Sequence, residues 1–354
     1  MVNNKQYIEE VKRYTTEGFD YSLFQNKIVF ITGATGMIGQ TFIDCLMEKN
    51  KSDDLKCKVL ALGRNKEKAM TFFHQYMKEE MLEFISHDIN DSSIVERFKD
   101  EKIDYIIHGA SNTHPVAYAE DPIGTITTNV IGTNNILQMA VNCHAKGVLL
   151  LSTVEVYGEN KSDKIALEEE DFGYIDCNTL RAGYPESKRC SEALMQAYVK
   201  KHNLHVVAVR LPRLYGPTIL KNDTKASTQF IKNAIDNENI ILKSEGNQFY
   251  SYCYIFDAIS AMVMVLHKGK QGNVYNVADK ESDYTLKDLA TLIAKLKNVK
   301  VIFDLPNETE KLGFSKATTA IMDSQKIRSI GWESKTNMID GMKITIEILE
   351  RIWN

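Results

Sequence analysis

Two short segments of this 354-residue chain carry four side chains whose chemistry fits together. Val148-Leu-Leu-Leu-Ser-Thr-Val-Glu-Val-Tyr-Gly158 brings a hydroxyl (Thr153) and a carboxylate (Glu155) to the end of an apolar run, and Tyr184-Pro-Glu-Ser-Lys188 brings a phenol and an ammonium. Tyr184 and Lys188 are four residues apart, so on a helix they share a face. A phenol titrates at about 10, too high for a base at neutral pH. A neighbouring ammonium and an oxidised nicotinamide both stabilise phenolate and lower that value. Tyr184 can then remove a hydroxyl proton as hydride leaves the carbon, with Thr153 hydrogen-bonded to the same oxygen.

A Gly-rich turn upstream fits a dinucleotide. Ile28-Val-Phe-Ile-Thr-Gly33 reads as a strand and Met37 opens a helix, with Gly33, Gly36 and Gly39 between and Thr35, Met37 and Ile38 beside them. Glycines there allow backbone to approach a pyrophosphate at the helix N-terminus. The second strand ends Leu60-Ala-Leu-Gly63-Arg64-Asn65, where an NAD site usually has an acidic residue. Arg64 could pair with a 2′-phosphate, which favours NADP over NAD. Asp88 and Ile89 close the third strand, and Asp88 is placed to accept from the adenine amino group or to cap a helix.

These segments need a scaffold. Short runs rich in Ile, Val and Leu predict buried strands at 28–32, 58–62, 82–86, 104–109, 148–153 and 205–211. Helical patterns at 37–50, 66–80, 91–99, 121–145 and 184–203 alternate with them, which predicts an α/β, Rossmann-type doubly wound parallel sheet. After Tyr215-Gly-Pro217, helices at 227–237, 257–268, 285–297 and 338–350 alternate with short strands, as in a smaller α/β substrate lobe. The expected division is an N-terminal extension (1–26), a dinucleotide-binding domain (27–212) and a substrate lobe (213–354), with part of the chain returning to the first domain. Tyr7, Ile8, Val11 and Tyr14 predict an amphipathic helix in the extension, serving as a packing arm or an oligomer contact.

Composition excludes other classes. A net charge of −4 gives no nucleic-acid footprint, and no apolar run reaches the roughly 18 residues of a membrane span. The N-terminus lacks the apolar core of a signal peptide, and the six cysteines form no C-x-x-C pair, so a reduced, cytoplasmic protein without a metal site is expected.

From about Lys27 onward the chain resembles the extended short-chain dehydrogenase/reductases that act on nucleotide sugars. The resemblance rests on Thr32-Gly-Ala-Thr-Gly-Met-Ile-Gly39, His108-Gly-Ala-Ser111, Thr128-Asn-Val-Ile-Gly-Thr133, the two catalytic segments, Arg210-Leu-Pro-Arg-Leu-Tyr-Gly-Pro217 and Tyr254-Ile-Phe-Asp257. It implies catalytic roles for Thr153, Glu155, Tyr184 and Lys188. It implies contacts of a tightly bound cofactor with Gly109, Ala110, Ser111, Lys188 and Leu211 as well as the residues above. Expected on the substrate side are His114, Asn129, Arg181, Arg213, Gln229 and Tyr250, with Asn129 mainly structural in the family. It also implies a nucleotide-diphosphate sugar substrate and a homodimer built through helices 121–145 and 184–203.

Enzymes of this kind oxidise C4 of the sugar and then diverge. The 4,6-dehydratases resemble S-T-D-E-V-Y-G, whose Asp protonates the departing hydroxyl; this chain has Val154 there and keeps Glu155. The glucuronate decarboxylases resemble S-T-S-E-V-Y-G, and Arg181-Ala-Gly-Tyr-Pro-Glu-Ser-Lys-Arg189 is similar to their R-x-x-Y-D-E-G-K-R segment. Decarboxylation of a nucleotide-glucuronate is therefore the first expectation. Alternatives are a 4-epimerase, a 4,6-dehydratase and an NADPH-dependent 4-keto-sugar reductase; a non-catalytic dinucleotide sensor is the remaining class. The chain departs from the decarboxylase pattern at Tyr250, where an Arg that grips the diphosphate is usual, and at Arg213, where an Asn is usual.

Overall fold

A computed structural model describes residues 4–16, 19–77, 79–113, 120–159, 164–305 and 319–354. Its centre is a seven-stranded sheet in which every neighbouring pair is parallel. The chain begins with α1 (Lys5–Thr16) and continues through β1 (Ile28–Thr32), α2 (Met37–Asp53), β2 (Lys58–Gly63), α3 (Lys66–Phe73), β3 (Leu82–Ser86), α4 (Ser93–Arg97) and β4 (Tyr105–His108). Then come α5 (Pro122–Thr127), a π-helical turn (Thr128–Gly132), α6 (Thr133–Asn142) and β5 (Gly147–Thr153). After β6 (Ala166–Leu167), α7 (Gly183–His202) leads into β7 (Val206–Leu211). All six strands expected from the apolar runs are present.

Strand order across the sheet is β3-β2-β1-β4-β5-β7, so the chain reverses direction between β1 and β4. Ligands of such sheets bind beyond the carboxyl ends of the strands at that switch point. Strands β5 and β7 are buried along their whole length, which explains their unbroken runs of Val and Leu.

The chain leaves this sheet across Pro212. β8 (Arg213–Tyr215), α8 (Ala226–Ile235), β9 (Ile240–Leu242), β10 (Phe249–Tyr254) and α9 (Ile255–Lys268) follow. β11 (Val274–Asn276) then returns to pair with β7 as the seventh strand. The rest is β12 (Asp283–Thr285), α10 (Leu286–Lys297), β13 (Val301–Phe303), β14 (Thr319–Met322), α11 (Gln325–Ser329) and α12 (Met338–Trp353). A second sheet runs β12-β10-β14-β6 with β8 also on β10, and β9 pairs with β13.

Helix α1 packs on its own chain, against α2 and α9. Tyr7 donates to Asp44 Oδ2 at 2.6 Å, Tyr14 to Asp257 Oδ1 at 2.9 Å, and Tyr254 to Glu10 Oε2 at 3.1 Å. Two expected helices differ from the pattern. The 66–80 stretch is helical only to Phe73, because Tyr76 turns inward to donate to Asp44. The 121–145 stretch is broken by the π-helical turn, where Gly132 lies so close to Ile89 that an added methyl would stand 2.4 Å from its Cδ1.

Candidate active site

The turn after β1 has the shape a dinucleotide requires. Gly33 has φ +70°, a left-handed conformation that glycine adopts without strain, and an added Cβ would lie 2.8 Å from the Gly109 carbonyl oxygen. A Cβ at Gly39 would lie 2.5 Å from the Gly33 carbonyl oxygen, so helix α2 can pack on this turn only without a side chain there. The cradle therefore fits a nicotinamide dinucleotide: Gly33, Thr35, Gly36, Met37 and Ile38 would hold its pyrophosphate, which a helix N-terminus favours.

Beneath the cradle, Thr32 Oγ1 accepts from the backbone N–H of Gly109 (3.1 Å) and Ala110 (3.0 Å). Its own proton must then go to His108 Nδ1 at 2.8 Å, and His108 Nε2–H donates to Thr133 Oγ1 at 3.0 Å. Burial, with Lys188 nearby, lowers the His108 pKa to about 3, so this ring is a neutral fixed strut. The strut joins the switch point to the start of α6.

Arg64 lies at the carboxyl end of β2, exposed, and its guanidinium makes no hydrogen bond or ion pair among the described residues. Asp88 is exposed and uses Oδ1 to accept from Asn90 N–H at 2.9 Å, which makes it a turn cap rather than the N-cap of α4. Ile89 is buried, and its carbonyl accepts from Asn135 Nδ2 at 2.8 Å. Ser111 is half-buried and Leu211 ends β7.

Tyr184 and Lys188 stand one turn apart on α7, both buried. The helix starts cleanly, with Pro185 and Glu186 in its first turn and Lys200, Lys201 and His202 in its last, matching its dipole. Lys188 Nζ donates to the Leu151 carbonyl at 2.8 Å, and burial lowers its pKa to about 8. Thr153, at the end of β5, accepts from Glu155 N–H at 3.3 Å, so its own hydroxyl proton remains to be given. Glu155 occupies a single 3₁₀ turn, Val154–Tyr157. Its Oε1 lies 3.7 Å from Arg213 Nη2, and the Arg213 guanidinium lies over the Tyr250 ring, 3.2 Å from its centroid.

Arg181 is exposed in the 3₁₀ turn before α7, and Gln229 is exposed on α8 with Nε2 donating to the Asp223 carbonyl at 2.9 Å. Asn129, expected on the substrate side and mainly structural in the family, lies inside the fold. It is 1% exposed inside the helix pair, where Nδ2 donates to Ser187 Oγ at 2.9 Å. That bond ties it to α7. His114 lies outside the described residues.

Sequence reasoning missed the supports. Arg189, one residue after Lys188, donates to the carbonyls of Val156 (2.7 Å) and Gly173 (2.8 Å), and so holds the turn bearing Glu155. Arg210 makes a two-point pair with Glu192, Nε to Oε1 at 3.1 Å and Nη2 to Oε2 at 2.7 Å. Ser152 adds a 2.5 Å bond to the same carboxylate. Glu192 stands one turn beyond Lys188, which is the spacing signal that could have marked it.

A switch-point glycine cradle with a Thr, Tyr and Lys beside it defines a nicotinamide-dependent enzyme of the Rossmann class. The sequence profile of the NAD dependent epimerase/dehydratase family matches residues 29–278, and the chain belongs to that family. Among its relatives, it is 28% identical over 329 residues to UDP-glucuronic acid decarboxylase 3 of Arabidopsis thaliana, covering 91% of this chain and 89% of that one. It is 27% identical over 331 residues to UDP-glucuronic acid decarboxylase 1 of Danio rerio, covering 92% and 73%. Its fold matches DesIV, the dTDP-glucose 4,6-dehydratase of Streptomyces venezuelae with NAD and TYD bound, with TM-score 0.77, 23% identity and coverage of 92% and 98%. It also matches the UDP-glucose 4-epimerase of Thermotoga maritima with UDP-glucose, with TM-score 0.78, 20% identity and coverage of 92% and 100%.

Proposed function

We propose that this protein modifies a nucleotide sugar by oxidising its C4 hydroxyl, and that it decarboxylates a nucleotide-glucuronate. The observation that carries the choice is the Val154–Glu155 pair. Val154 is buried and cannot donate a proton, which removes the acid that loss of a 6-hydroxyl needs, while Glu155 is kept at the site. The decarboxylase relatives support the same reading.

When bound, the nicotinamide supplies the acceptor for the C4 hydrogen and the means of returning it. The chain's own groups do the rest. Tyr184 takes the C4–OH proton, held as phenolate by the Lys188 ammonium. Thr153 donates to the same oxygen. With a ketone at C4, a C5 carboxylate belongs to a β-keto acid. Breaking the C5–C6 bond releases carbon dioxide and leaves its electron pair as an enolate on the C4 oxygen. Tyr184–OH and Thr153–OH are the donors available to that oxygen; a proton from solvent at C5 restores the ketone, and Tyr184 gives its proton back to the C4 oxygen as the hydrogen is returned to C4.

The isolated guanidinium of Arg64 supports NADP. The exposed Ile123, Ile126, Ile131 and Leu180 on and beside α5 support a homodimer through that helix pair. The test of the reaction is incubation with UDP-, GDP-, CDP- and dTDP-sugars, glucuronates included, followed by product masses. Loss of carbon dioxide from a glucuronate is expected. Loss of water, or a hexose product of unchanged mass, would replace decarboxylation by dehydration or epimerisation.

A further inference from the structure

Arg213 carries a guanidinium that the fold orients and that makes no hydrogen bond among the described residues. The chain changes sheets across Pro212, so Arg213 stands two residues past Leu211, at the seam between the two sheets. Its backbone is in register with Tyr252 on β10. Two residues earlier on that strand, and so on the same face, Tyr250 lies under the guanidinium at 3.2 Å. Stacking on an aromatic ring fixes the plane of the group and leaves its edge, where the N–H donors are, free.

Those donors are not used. Glu155 at 3.7 Å is an ion-pair neighbour beyond hydrogen-bond reach. Nη1 is buried and has no acceptor among the described residues. Leaving a buried donor unpaired is costly, so a ligand that supplies the acceptor is favoured. A planar fork held by a ring, with an empty edge, matches a planar acceptor with two oxygens, a carboxylate or a phosphate.

We propose that Arg213, oriented by Tyr250, is a specificity-determining residue that receives an oxyanion of the substrate beside Glu155. The oxyanion is either the carboxylate on the sugar or the diphosphate of the nucleotide. This rests on the nucleotide-sugar reading above. The cation also has a second effect: it lets a second anion approach Glu155, which would otherwise repel it.

The test is calorimetric titration of the full chain carrying its dinucleotide, with a nucleoside diphosphate, its glucose conjugate and its glucuronate conjugate, in the UDP, dTDP and GDP series. Arg213→Gln is expected to weaken binding about tenfold or more. A loss confined to the glucuronate identifies the sugar carboxylate, and an equal loss for all three identifies the diphosphate. Arg213→Lys, which keeps the charge and loses the fork, is expected to recover only part. If Arg213→Gln does not fold, Tyr250→Leu leaves the charge and removes its orientation, and is expected to weaken the same ligand several-fold. Unchanged affinity in the folded variant overturns the inference alone. A wild-type protein that binds none of these ligands overturns it together with the nucleotide-sugar reading.

Discussion

Lys188 Nζ donates to the carbonyl of Leu151 at 2.8 Å, which ties the helix bearing Tyr184 to the strand that ends at Thr153. The bond holds an ammonium in a place where burial has lowered its pKa to about 8 from an ordinary 10.5. The charge proposed to steady the Tyr184 phenolate is therefore lost at moderate alkalinity. We expect kcat/KM to fall on the alkaline side with a midpoint near pH 8. A profile that stays flat past pH ~10, where an unperturbed lysine titrates, would refute this.

The same shift has a consequence for stability. The folded protein binds fewer protons at Lys188 than the unfolded chain does between pH 8 and 10.5. Stability therefore rises with pH through that window, and below pH 8 the buried ammonium is a net cost. Lys188→Met should raise the Tm at pH 7, with the gain shrinking towards pH 10, while turnover is lost. Thermal melts across that range check it, and a lower Tm at pH 7 would contradict it.

Gly39→Ala should place a methyl 2.5 Å from the Gly33 carbonyl oxygen, a backbone atom that cannot swing away. The turn must then shift from under helix α2. We expect a loss of about 1–3 kcal/mol in urea unfolding, and dinucleotide affinity lowered more than tenfold.

Arg210→Met should destabilise by about 3–5 kcal/mol, because it strands the Glu192 carboxylate in the interior. Joining it to Glu192→Leu should recover much of that loss. Chemical denaturation of both single variants and the double variant measures the coupling, and strictly additive losses would refute it.

The glycine turn, the six strands and the Tyr–Lys pair were legible because their demands are local. A methyl either fits or clashes, and a parallel central strand must be apolar on both faces. What was illegible depends on distant partners. Nothing in residues 121–145 announces a π-helical turn, and the neighbour packed against it at Gly132, Ile89, lies on another segment. Nothing around Asn129 in the sequence announces Ser187 as its partner. The α1 pattern predicted an amphipathic helix, but the carboxylates that receive its tyrosines, Asp44 and Asp257, come from two other helices. Arg213 and Tyr250, two departures from the decarboxylase pattern in the sequence, lie against one another in space.

The central claim is that Tyr184 removes the proton of a sugar hydroxyl during an oxidation that is later reversed. The most direct measurement compares wild type with Tyr184→Phe, both loaded with dinucleotide and given the nucleotide-glucuronate, following carbon dioxide release and nicotinamide absorbance together. We predict release in the wild type with no net change in nicotinamide, and release slowed about 10²-fold or more in Tyr184→Phe with the dinucleotide still bound. Undiminished release by the phenylalanine variant would contradict the account.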